Sequence, residues 1–126
     1  MAKILVMDDD SLVRNAAVQM LTRMGHEVVS AVDGKEGLAR FQEQPFDLVL
    51  TDIVMPEREG LETIQAIRKI NRTIPVIAIS GGTSDMSPEI LLKVAQHLGA
   101  QRLISKPFSL SHLKAVVDEM LPLGAD

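Results

Sequence analysis

Four short stretches of this chain carry residues able to do chemistry, and each follows an apolar run. "ILVMDDDS" places Asp8, Asp9 and Asp10 in a row, "DLVLTD" delivers Asp52, "PVIAISGG" delivers Ser80 with Gly81 and Gly82, and "RLISKPF" delivers Lys106 followed by Pro107. Three adjacent carboxylates repel one another, and in the residues that follow only Arg14 offsets them. They form either a solvated turn or a cation site. Taken singly, each stretch has a plain reading. A lone Asp after a strand is more often a turn residue than a nucleophile, Ser-Gly-Gly is a common turn, and acids cap helices. The shared position of all four, directly behind an apolar run, points to a joint site.

The elements that must hold these residues are legible in the hydropathy pattern. Short apolar runs alternate with segments of helical period from end to end, the signature of repeated βα units and a largely parallel sheet. Strands are expected at Lys3–Met7, Glu27–Val32, Asp47–Thr51, Pro75–Ile79 and Gln101–Ile104. "DLVLT" and "PVIAI" are apolar nearly throughout, as strands covered on both faces should be. Between the strands, five segments repeat apolar residues at helical spacing: Val13, Ala17, Met20, Leu21 and Met24; Leu38 and Phe41; Leu61, Ile64, Ile67 and Ile70; Ile90, Leu91, Val94, Ala95 and Leu98; and Leu110, Leu113, Val116, Val117 and Met120. Gly25, Pro45, Gly99 and Pro122 stand where these helices should stop. The methionines and phenylalanines mostly read as core filler, and His26, His97 and His112 share no ligand-like spacing.

In an open α/β sheet, ligands sit outside the carboxyl ends of the strands, where loops and helix N-termini converge. With the first, third, fourth and fifth strands as neighbours, the chemistry-bearing residues form one cluster of carboxylates, a hydroxyl, an ammonium and a glycine-rich loop. Such a set suits a hard divalent cation, and Mg²⁺ takes one or two carboxylates and fills its other positions with water or phosphate oxygens. Asp52, alone at the end of a buried strand and ahead of Met55-Pro56, is the best placed nucleophile for an aspartyl-phosphate. Phosphoryl transfer to it would need little beyond positioning and charge stabilisation. Mg²⁺ on Asp9 and Asp52 would take one phosphoryl oxygen, Lys106 another, and Ser80 with the Gly81 amide a third.

Composition bounds the rest. At 126 residues with 46% hydrophobic content and no low-complexity tract, the chain is expected to be a single globular domain spanning 1–126. It has no Cys, which removes disulfides and thiolate metal sites and suits a reducing compartment. A signal-peptide core and a bilayer-length apolar segment are both missing from the sequence. The expected location is therefore cytoplasmic, with no membrane partner. A net charge of -4 with scattered Lys and Arg argues against nucleic acid as a partner.

Quoted together, "ILVMDDDS", "DLVLTDIVMPEREG", "IAIS" and "KPF", in this order and with these gaps, resemble the receiver domain of two-component response regulators over essentially the whole chain. The resemblance implies a (βα)5 doubly wound parallel sheet in the order 2-1-3-4-5, a three-layer α/β/α sandwich. It implies Asp52 as phosphoacceptor and Mg²⁺ as cofactor. Asp9 would be a direct ligand, Asp8 would act through water, and Val54 would lend its backbone carbonyl. Ser80 would be the switch hydroxyl, Lys106 the phosphate-binding lysine, and the Lys106–Pro107 peptide cis. The partner would be a sensor histidine kinase or a histidine phosphotransfer protein, and a downstream protein would bind the fourth helix, fifth strand and fifth helix. The chain would catalyse only its own phosphorylation and dephosphorylation, with no output domain following.

Two features depart from that pattern. Leu103 stands where many receivers carry a switching aromatic, and the loop "GGTSDMSPE" after Ser80 is long. Two rival readings are a haloacid-dehalogenase-type phosphatase using Asp8 as nucleophile, with Asp10 two residues on, and a degenerate receiver that only binds partners. The first lacks a further acidic loop after "SKPF", and the second is at odds with the full set of site residues. A flavodoxin would need a hydroxyl-rich loop where this chain has acids.

Overall fold

A computed structural model describes residues 1–52, 59–81 and 87–121. The chain alternates β1 (Lys3–Met7), α1 (Ser11–Arg23), β2 (Glu27–Ala31), α2 (Gly34–Glu43), β3 (Leu48–Asp52), α3 (Glu59–Ile70), β4 (Val76–Ser80), α4 (Pro88–Leu98), β5 (Arg102–Ser105) and α5 (Leu110–Met120). All five strands pair in parallel in the order β2-β1-β3-β4-β5, the flavodoxin-like arrangement expected from the resemblance.

Strand alternation sorts the core into two layers. Ile4, Val6, Leu48, Leu50, Ile77, Ile79 and Ile104 meet Ala17 and Leu21 of α1 and Leu113 and Val117 of α5. Leu5, Met7, Val49, Val76 and Ala78 meet Phe41 of α2, Ile64 and Ile67 of α3 and Ala95 of α4. Both faces of the central strands are thus dry, which is why their sequences read as unbroken apolar runs. One helix–strand approach is close enough to favour glycine: a Cβ on Gly37 of α2 would lie 2.0 Å from the Met7 sulfur, so the buried Met7 side chain would have to shift.

The helices begin where side chains can accept their first free N–H groups. Asp10, Asp33, Ser87 and Ser109 are N-caps, each accepting a main-chain hydrogen bond from within the first turn. Gly99 ends α4 at φ 119°, as a glycine after the last periodic residue should.

β1 lies where the sequence placed it, while the other strands differ from expectation by one residue at one or both ends, with consequences for the site. β2 stops at Ala31 because the Val32 N–H leaves the ladder to donate to Glu36 Oε1. β3, β4 and β5 each begin and end one residue later than expected, and Pro75, which has no N–H to give, stays outside β4. Asp52 and Ser80 are therefore the last residues of their strands, paired with Ile79 and Ser105, rather than the first residues of loops. Among the described residues no helix is long and apolar enough to cross a membrane.

Candidate functional site

The order β2-β1-β3 means the chain reverses its winding between β1 and β3, and their carboxyl ends open a crevice there. Asp8 follows β1, Asp52 ends β3, and Lys106 follows β5. All three continue the parity of Ile4 and Val6, of Leu48 and Leu50, and of Ile104, so they fall on the α1/α5 side of the sheet edge. Alternation together with parallel register thus brings together residues up to 98 positions apart in sequence.

Lys106 Nζ donates to Asp52 Oδ2 at 2.7 Å and lies 3.2 Å from Asp8 Oδ2. The second contact is an ion pair without hydrogen-bond alignment, and Asp8 Oδ2 is buried with no hydrogen-bond partner. The Asp8 side chain is fully buried and that of Asp52 nearly so. Asp8 Oδ1 accepts the Asp10 N–H at 2.9 Å. Burial raises the Asp8 carboxyl to about 6; the Asp10 N–H opposes the rise, the Asp52 charge adds to it, and Lys106 again opposes it. For Lys106 burial disfavours the ammonium, but the hydrogen bond and charge of Asp52, with the Asp8 charge, outweigh burial and raise its pKa.

Asp9 is exposed, yet one of its oxygens lies within 4.8 Å of oxygens from both Asp8 and Asp52. Among the described residues three carboxylates gather against the Lys106 ammonium, with the Arg14 guanidinium at the Asp8 carbonyl, which still leaves a local excess of negative charge, and a buried carboxylate oxygen has no hydrogen-bond donor. A hard divalent cation answers both conditions, so the donor set fits Mg²⁺. A thiolate-seeking metal would find no ligand, because the chain has no Cys.

The remaining candidates divide. Ser80 is at the edge, but its Oγ is buried without a partner and bonds to neither Asp52 nor Lys106. By alternation it belongs with Val76 and Ala78 on the α3/α4 side, and only main chain links it to the lysine, through Lys106 N–H to Ser80 O at 2.8 Å. Gly81 is half-buried with open space at its Cβ position, so sterics alone do not demand glycine there. The Lys106–Pro107 peptide is cis. Leu103 pairs with Ala78 across β4 and β5 and packs, partly buried, against the α2–α4 layer. Val54, Met55-Pro56 and Gly82 lie outside the described residues.

Sequence reasoning missed two features. Beside Lys106 and Gly81 lies a largely apolar cavity of about 410 Å³, walled by Leu12, Val13, Met20 and Phe108 among others. Its signal in the sequence was Leu12, an apolar residue off the buried face of α1 that stands 80% exposed. The other is the contact of Arg14, read from the sequence only as a nearby charge: its Nη1 donates to the Asp8 carbonyl at 2.8 Å. His26, which shares no ligand-like spacing with the other histidines, accepts the Ala2 N–H at its Nδ1.

Comparison with known proteins agrees with this fold. The chain is 36% identical over 119 residues to the probable transcriptional regulator ycf27 of Porphyridium aerugineum, covering 94% of this chain and 48% of that protein. It is 42% identical over 105 residues to the CAI-1 autoinducer sensor kinase/phosphatase CqsS of Vibrio cholerae, covering 83% of this chain and 15% of that protein. The chain thus spans about half or less of the curated relatives it matches. Because ycf27 is named as a transcriptional regulator, the expectation of no nucleic-acid partner draws no support from these relatives. The chemotaxis response regulator CheY4 of Vibrio cholerae superposes with a TM-score of 0.85 at 32% identity, covering 96% of this chain and 99% of that one. The profile of the response regulator receiver domain matches residues 4–118, nearly the whole of the α/β sheet and its helices, and the chain therefore belongs to the receiver domain family of two-component response regulators.

Proposed function

We propose that the protein accepts a phosphoryl group on Asp52 from a phosphohistidine partner, a sensor histidine kinase or a histidine phosphotransfer protein. The observation carrying this reading is the convergence of Asp8, Asp9 and Asp52 around one cation-sized space, with Lys106 reaching the Asp52 carboxylate. An Asp52 oxygen attacks phosphorus, the P–N bond breaks, and the histidine leaves with the electron pair. In this reading Asp9, Asp52 and the Val54 carbonyl would hold Mg²⁺ directly and Asp8 through water, and the ion would supply positive charge to offset that of a phosphoryl group.

Lys106 Nζ, freed from its bond to the carboxylate, turns to a phosphoryl oxygen, and the unpartnered Ser80 hydroxyl with the Gly81 N–H takes another. Movement of Ser80 then shifts a pre-existing equilibrium of the α4–β5–α5 face, with Leu103 as the side chain beneath it. On that face Ile90 and Leu110 are exposed, and Arg102 pairs with Glu119 to tie β5 to α5. The apolar cavity bounded by Lys106 and Gly81 lies beside two of these phosphate-binding residues and offers an apolar surface to the phosphohistidine partner. The expected setting is cytoplasmic.

The test uses acetyl phosphate and Mg²⁺ with intact-mass detection. The parent protein is expected to gain one phosphate and Asp52→Asn none. Equal labelling of Asp52→Asn, or labelling that maps to Asp8, overturns the assignment.

A further inference from the structure

The β1–α1 turn carries two of the three clustered carboxylates, so whatever sets that turn sets the spacing of the site. Besides the Lys106 ion pair at the Asp8 carboxylate, three hydrogen bonds fasten it at Asp8 among the described residues. The Asp8 N–H donates to Ala31 O at 3.2 Å, Asp8 Oδ1 accepts the Asp10 N–H at 2.9 Å, and the Asp8 carbonyl accepts from Arg14 Nη1 at 2.8 Å. The last is the only one made by a side chain from outside the acidic triplet. The β1 ladder ends at Met7, which pairs with Ala31 and Thr51, leaving the Asp8 carbonyl beyond the sheet hydrogen bonds.

Arg14 reaches that carbonyl for a reason of helix geometry. Its own N–H makes the first helical bond of α1, to Asp10 O at 2.9 Å, and helical side chains lean toward the helix N-terminus. A long residue one turn inside α1 therefore folds back over the turn before the cap. Asp10 locks the same helix start by accepting from Leu12 and Val13.

We infer that Arg14 is a positioning residue of the phosphoacceptor site: its guanidinium pegs the Asp8 carbonyl to α1 and thereby holds Asp8 and Asp9 at the separation from Asp52 that a divalent cation needs. The inference rests on the proposed Mg²⁺-dependent phosphoacceptor reading. A peg and a bare charge predict opposite signs. As a positive charge beside three carboxylates, Arg14 repels a cation, so its removal would tighten Mg²⁺ binding. As a peg, its removal loosens the turn and weakens binding, and outer residues that orient ligands are typically worth roughly tenfold or more in metal affinity.

The experiment compares the parent with Arg14→Ala, Arg14→Met and Arg14→Lys in full-length protein. Arg14→Met keeps an apolar stem and removes donor and charge together, while Arg14→Lys keeps a donor of nearly the same reach. Mg²⁺ affinity by calorimetry is expected to fall roughly tenfold for Ala and Met and to stay near the parent for Lys. Asp52 phosphorylation by acetyl phosphate should return to nearly the parent rate at saturating Mg²⁺, since Arg14 touches neither phosphate nor carboxylate. Hydrogen exchange of the Asp9 and Asp10 amides, followed without Mg²⁺, should quicken in Ala and Met. Mg²⁺ affinity equal to or tighter than the parent in Ala and Met overturns the inference, as does unchanged exchange at both amides. A parent protein that binds no Mg²⁺ or takes no phosphate overturns the functional reading instead, and the exchange measurement still decides whether Arg14 holds the turn.

Discussion

At Asp8, burial and charge act against each other on a single side chain. Desolvation raises its pKa from the ordinary 3.8 to about 6, although the Asp10 N–H and Lys106 both favour the charged form. An acid whose folded pKa is raised stabilises the fold below its unfolded pKa, and that contribution is lost as pH rises through the folded value. In metal-free buffer the loss falls between about pH 4 and about pH 6 and amounts to about 2–3 kcal/mol. Asp8→Asn, which has no proton to lose, is expected to gain stability relative to the parent across that window, and to show the gain in full at pH 7. Urea midpoints of the two proteins at pH 4.5 and pH 7 check this. A constant difference would mean that Asp8 does not titrate there. The raised Lys106 pKa acts far above this window and leaves the comparison untouched.

At the scale of elements, the end of α4 is tied into its neighbours. Its C-terminal end is tied to α3 by Arg68, which donates to Gly99 O through Nε at 2.9 Å and Nη2 at 2.6 Å, and also to Asn71 O and Gln101 Oε1. Gln101 Oε1 in turn accepts the Val76 N–H, so three elements share one half-buried network at the edge opposite the site. The start of α4 has the Ser87 cap and follows the β4–α4 connection. Arg68→Ala strands several carbonyl groups of this network. It should lower stability by about 2 kcal/mol, read as a shifted urea midpoint with unchanged slope. A midpoint equal to that of the parent would show that water satisfies those carbonyls as well as the guanidinium does.

For the whole molecule, the proposed cation links the site to the stability of the fold, because the three carboxylates come together only when β1 and β3 are paired. A ligand that binds only the folded state stabilises it by mass action, by about 1.4 kcal/mol at ten times its dissociation constant. Mg²⁺ is therefore expected to raise the melting temperature of the parent in a concentration-dependent way and to do so much less for Asp9→Ala. An equal rise in both proteins would place the ion elsewhere. Much of this was legible in the chain itself. Alternating apolar runs and helical periods announced five βα units, and Asp52, Ser80 and Lys106 were marked by standing behind buried strands, because a side chain's burial and its period are properties of local sequence. The 2-1-3-4-5 strand order came from family resemblance, since hydropathy does not say which strands are neighbours. The one-residue shifts of β3, β4 and β5 were decided by parallel register, which no single strand carries. Only the folded sheet settled that Asp8, Asp52 and Lys106 share one side of its edge while Ser80 belongs with the other. It also took the fold to show that Arg14 bends back to the Asp8 carbonyl, because that contact depends on where α1 lies against the end of β1.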